Sequence, residues 1–154
     1  MKKIIASLFT LCLILSVYSQ VNYAYPEPPP YKGTISIGIL NGGGGIVGVD
    51  FEALLNDRIG LTAGVGLTSY GIGLNFHFFP GGARSSYINM GYWHQGLNDS
   101  YFQSMIGPSF VWRAKRIFQL QLGIGYQLET GPAYSLDETP ILLMYSAGVY
   151  LPFR

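Results

Sequence analysis

The chain has 154 residues, enough for one domain, and nine Lys/Arg against eight Asp/Glu leave a formal net charge of +1. Charged residues make up 11% of the chain, while 49% of residues are hydrophobic, 15% are aromatic and 21 are glycine. So few ionised groups make a poor coat for a domain in water, and a near-neutral chain has no electrostatic footing for nucleic acid.

The first segment reads as a secretory signal, residues 1–19. Lys2 and Lys3 form its basic start, an apolar run covers 4–17, and Val17, Tyr18 and Ser19 offer a cleavage pattern that leaves Gln20 as the mature N-terminus. The competing reading is an anchoring helix, but the run is short of the about 20 apolar residues a span needs, and no basic flank follows it. Cys12 is the only cysteine. Phe9, Thr10 and Leu11 before it do not suit a lipidated cysteine, so it is expected to leave with the signal, without disulfide or thiol chemistry in the mature chain. Residues 20–31 hold Pro26, Pro28, Pro29 and Pro30 and read as an extended tether.

From residue 32 to 154 apolar residues recur at every second position, and turn residues interrupt them at intervals. This is the strand signal. Eight strands are expected, over 33–40, 46–54, 58–68, 70–79, 85–94, 101–113, 117–128 and 141–154. The seventh shows the pattern best, with Phe118, Leu120, Leu122, Ile124 and Tyr126 opposite Gln119, Gln121, Gly123, Gly125 and Gln127. Tight turns are expected at Asn56-Asp57, at 80–83 and at 114–116. A glycine run (42–45), a short link at Ser69, a loop over 95–99 and a longer loop over 129–140 make the other connections. An even number of strands joined by hairpins predicts an all-β, closed, up-and-down antiparallel barrel, which removes the sheet's edges.

Periodicity defines two faces, and composition decides which is inside. The Ile/Leu/Phe face is opposed by Gly, Ser, Thr, Asn and Gln, which suit a crowded interior better than a water-facing surface. Eight strands make a tube just wide enough to be filled by side chains, with Tyr87, Trp93, Met105, Met144 and Tyr150 as the large fillers. With the mature N-terminus at the periplasmic end, Phe51, Phe76, Phe78, Phe110, Trp112, Phe118 and Phe153 form a lower outward ring. Tyr70, Tyr92, Phe102, Tyr126 and Tyr145 form an upper one. Two aromatic girdles around an aliphatic band, on strands of about 9–11 residues, are what a transmembrane barrel needs.

On these features, from about Lys32 to Arg154 and including the alternating terminal strand 145–154, the chain resembles the small eight-stranded outer-membrane barrels of Gram-negative bacteria. The resemblance implies location in the outer membrane, surrounded by outer-membrane lipid and lipopolysaccharide. It also implies recognition of the last strand by the barrel-insertion machinery through Phe153, which Arg154 here follows. Fold alone does not transfer an activity. The expected role is non-enzymatic, in envelope structure or surface interaction, with a packed lumen. The alternatives are an outer-leaflet lipid-modifying enzyme and a soluble exported barrel with an apolar ligand inside.

No catalytic, cofactor or metal residues are assigned. The inward charges Asp50, Glu52, Arg58 and Arg113 cluster near the expected periplasmic end. They admit three readings: a lumen gate, charges paired because an apolar-walled tube tolerates no others, or charges reaching water at the rim. His77 is expected as a hydrogen-bonded interior residue. His94, Asp99 and Ser100 supply the residue types of ester hydrolysis within a few positions, though in a loop. Two separated histidines without cysteine make no metal site. The glycines at 42–45 lack the lysine and helix of a phosphate loop and read as a flexible hairpin tip.

Overall fold

A computed structural model describes residues 31–80, 82–133 and 139–154. The expected signal and nearly all of the tether lie outside the described residues. Among those described, eight strands follow one another around a closed antiparallel barrel: β1 (Gly33–Ile39), β2 (Val47–Leu54), β3 (Ile59–Gly66), β4 (Ser69–His77), β5 (Tyr87–Asn98), β6 (Tyr101–Arg113), β7 (Phe118–Thr130) and β8 (Ile141–Phe153). The ring closes where β1 pairs with β8, from Gly33 opposite Phe153 to Ile39 opposite Ala147. Every strand sits within the expected pattern, with ends shifted by a few residues. The largest shift is in β5, which runs on to Asn98 through a bulge against β6. The expected loop at 95–99 is thereby reduced to a turn at Asp99-Ser100.

The alternation sorts the side chains as composition required. The outer face carries Leu61 (44% exposed), Leu122 (53%) and Val149 (39%), together with Ile35, Ile37, Ile72, Phe76, Ile124 and Leu143. The inner face carries Thr34, Ser36, Glu52, Asn75, Asn89, Ser109, Gln119 and Ser146, all buried. This is a globular fold turned inside out. It contradicts the alternative of an Ile/Leu/Phe-lined tube around an apolar ligand. The buried apolar residues are few: Trp93, Met105 and Met144 form one cluster, beside Gly71 of β4 and Gly125 of β7, with Tyr87 and Tyr150 lower down.

The two halves of the barrel differ in height. Strands β1–β4 have 7, 8, 8 and 9 residues, and β5–β8 have 12, 13, 13 and 13. At about 3.3 Å per residue the second half is roughly 15 Å longer along the strand. The first half is therefore shorter than expected from sequence, because the chain turns at Leu40 and at Thr68, both with positive φ (59° and 67°). Turns at Asn56-Asp57, around 80–86 and at 114–117 mark one end, here the lower, and both ends of the described barrel segment meet there.

Candidate functional site: a polar interior and a polar cluster on the outer rim

The interior is organised around Glu52 on β2, which points inward because β2 presents Val49 and Phe51 to the outside. One carboxylate oxygen accepts from Arg113 Nη1 at 2.9 Å and from the Thr34 hydroxyl at 2.9 Å. The other accepts from the Asn75 amide and faces His77 Nε2 at 2.8 Å. Arg113, at the lower end of β6, spends its other donors on Thr34 Oγ1 (2.8 Å), Gln119 Oε1 (3.3 Å) and the Ala83 carbonyl (3.0 Å). Its guanidinium lies between the rings of Tyr87 and Tyr150, at 4.7 and 4.8 Å from their centroids. Both charges are only 2% exposed. A buried pair persists only when its remaining hydrogen-bonding capacity is met, and here Thr34 of β1, Asn75 and His77 of β4, Gln119 of β7 and the Ala83 carbonyl meet it.

Of the four charges expected inside, two therefore pair and two do other work. Arg58 is a correction: it is exposed in the β2–β3 turn, where the Asn56 side chain accepts from the amides of Arg58 and Ile59, both at 2.8 Å. That Asn-initiated turn ends the alternating pattern before Arg58, so its side chain does not inherit an inward position. Asp50 lies one inward step above Glu52 and accepts from the Gly42 amide at 3.0 Å. His77 is a hydrogen-bonded interior residue, as expected, with Nδ1 3.3 Å from the Ser85 carbonyl.

The glycine run is a second correction. It is no free hairpin tip: Asn41–Gly44 coils inward and fills the upper mouth, with Asn41, Gly42 and Gly43 buried. The coil is left-handed at Gly42 (φ 67°) and Gly43 (φ 81°), a conformation that glycine adopts without steric cost. It packs on the bare backbone of β3 and β4, where Gly64 and Gly71 have no side chains to obstruct it. Asp50 holds the Gly42 amide and Ser69 Oγ donates to the Gly42 carbonyl at 2.6 Å. Below, a turn of 3-10 helix (Gly82–Arg84) folds under the barrel and places Ala83 and Ser86 against Arg113. The coil and the 3-10 turn thus lie across the two ends of the interior. Between coil and ion pair remains a polar cavity of about 30 Å³, lined in part by Asn41, Asp50, Asn89 and Gln121.

The outer surface carries one polar constellation that sequence reasoning missed. His94 on β5 and Ser104 on β6 both take outward positions, and His94 Nδ1 lies 2.9 Å from Ser104 Oγ. The Tyr92 hydroxyl donates to the same Oγ at 3.1 Å. Tyr70 stacks on one side of the His94 ring and Phe102 lies near-parallel to it, with centroids 4.8 and 5.7 Å away. Asp99 and Ser100, named beside His94 from sequence, form the exposed β5–β6 turn. The only advance signal was parity: His94 and Ser104 share the face of Tyr92 and Ile106, and the hairpin register sets them directly opposite each other. Among the described residues no group of three metal-ligating side chains occurs. No family model, curated protein or solved structure matches the chain.

Proposed function

We propose that the protein is an integral outer-membrane barrel of a Gram-negative envelope, exported by residues 1–19, with a packed, non-conducting lumen and a role in envelope structure or surface interaction. The supporting observation is the inversion of the fold: the outer wall is aliphatic while Glu52, Arg113 and a set of amides and hydroxyls fill the centre. In water that arrangement exposes its apolar surface and buries its charges. In lipid the apolar wall is at home, the charges are kept from hydrocarbon, and a closed barrel satisfies every backbone group internally.

The rings support the same reading. Phe51 stacks on Phe153 (5.3 Å), Phe78 tilts against Phe110 (6.0 Å) and Trp112 meets Phe118 edge-on (6.3 Å) around the lower wall, and Tyr70 meets Tyr92 (6.3 Å) at the upper. Such belts sit at the two membrane–water boundaries. The partners of this surface are then outer-membrane lipid and lipopolysaccharide, with Phe153 on the terminal strand as the contact for insertion. Two measurements test the proposal. The protein from purified outer membranes is expected to migrate differently on detergent gels before and after boiling. Reconstituted in planar bilayers, it is expected to give no steady conductance. A protein released without detergent overturns the location, and a large steady conductance overturns the packed lumen.

A further inference from the structure

We propose that Ser104 and His94 form a nucleophile–base pair on the lipid-facing rim of the barrel, acting on acyl esters of membrane amphiphiles. The inference rests on the membrane reading above for its natural substrate, and on geometry alone for its chemistry. Ester hydrolysis by a hydroxyl needs a base within hydrogen-bond reach, a means of holding that base in orientation, and a donor for the oxyanion. All three are on one patch. With its ring proton on Nε2, His94 accepts the Ser104 proton at Nδ1, 2.9 Å away. Tyr70 and Phe102 hold the imidazole between their rings. The Tyr92 hydroxyl already donates to Oγ at 3.1 Å and is the group placed to follow the charge onto a carbonyl oxygen. Glu129 stands opposite Ser104 across the β6–β7 ladder, next to a bulge, and so shares its face.

Position argues for the substrate class. The pair lies among the upper-rim aromatics, which mark the boundary between acyl chains and headgroups, the depth at which the ester bonds of lipids are found. A hydroxyl and an imidazole facing hydrocarbon would otherwise be costly. Ser104 is 2% exposed, in contact with Tyr92 and His94, so the Tyr92 hydroxyl must pass from Oγ to the carbonyl oxygen as an ester enters. Ser104 Oγ then bonds to the carbonyl carbon while its proton passes to His94. The bond from that carbon to the alcohol oxygen breaks, and His94 returns the proton to the departing alcohol, leaving an acyl-Ser104 ester. Water attacks this ester, giving up a proton to His94. The carbon–Oγ bond breaks, and the proton returns to Ser104 as the fatty acid leaves.

The test uses the full-length protein purified in detergent and shown to be folded by its gel mobility. It is incubated separately with a detergent-dispersed p-nitrophenyl acyl ester, with phosphatidylglycerol vesicles and with lipopolysaccharide, and released acid is quantified by mass spectrometry. A fluorophosphonate probe reports the activated hydroxyl independently. The expected result is acid release from at least one dispersion and a phosphonate adduct on the peptide carrying Ser104. S104A abolishes both, and H94N lowers turnover by roughly a thousand-fold or more. Y92F reduces turnover by about a hundred-fold but keeps the adduct. S100A, in the neighbouring turn, leaves both unchanged. Release from vesicles or from lipopolysaccharide tells which lipid is the source. Turnover of the dispersed ester alone would uphold the pair and count against a lipid substrate. No acid and no adduct from the folded protein, or S104A as active as the native chain, would overturn the proposal.

Discussion

Arg113 donates to a carboxylate, a hydroxyl, an amide oxygen and a carbonyl, all on buried residues. Removing it leaves Glu52 charged, buried and short of its strongest partner. R113M is therefore expected to cost about 3–5 kcal/mol, read as a lower urea midpoint for loss of the heat-modifiable form. The double variant R113M/E52L removes both charges and should recover much of that loss. If R113M alone is neutral, the pair does not organise the interior. Thr68 predicts a change of opposite sign. A β-branched residue at φ 67° is strained, so T68G should raise the same midpoint by about 1 kcal/mol. An unchanged or lower midpoint would mean that the turn relaxes in another way.

The Asn41–Gly44 coil is the element whose role departs furthest from its composition. Four glycines between two strands read as a loose tip, because sequence shows that they are permissive and does not show what they approach. The destination is set by a distant fact: β3 and β4 leave a groove of bare backbone at Gly64 and Gly71. Replacing Gly43 with Val demands a β-branched side chain at φ 81° beside the Tyr70 carbonyl, which the coil cannot keep. The expected outcome for G43V is faster hydrogen exchange at the Gly42 and Gly71 amides, with β6–β8 unchanged. Exchange as slow as in the native chain would show that the coil tolerates the side chain and is not a tightly fitted stopper.

For the barrel entire, strand number, order, facing and the two aromatic levels were legible in the sequence, because a period of two is a local property and a face of Gly, Ser and Gln can hardly serve as a water-facing coat. The Glu52–Arg113 pairing was legible only as one of three readings, since parity gives a face and not a height. Arg58 left the interior because an Asn56-capped turn interrupts the alternation just before it. Ser104 was not singled out at all: it lies ten residues from His94, and only the hairpin register makes them neighbours. The inside-out sorting makes a further prediction about substitution. I124R, on the outward face of β7, should cost about 2–4 kcal/mol in a bilayer. The same substitution at Asp57 in the lower turn should be near neutral. Equal effects at the two positions would speak against a lipid-facing wall.

Spin labels placed one at a time at Ile72 and Ile124 of the exported protein, reconstituted in vesicles, address the apolar wall itself. Collision with dissolved oxygen should be frequent at both sites and collision with a water-soluble nickel chelate rare, while a label at Asp57 shows the reverse. Labels at Ile72 and Ile124 as open to nickel as the one at Asp57 would contradict a barrel whose outer face rests in acyl chains.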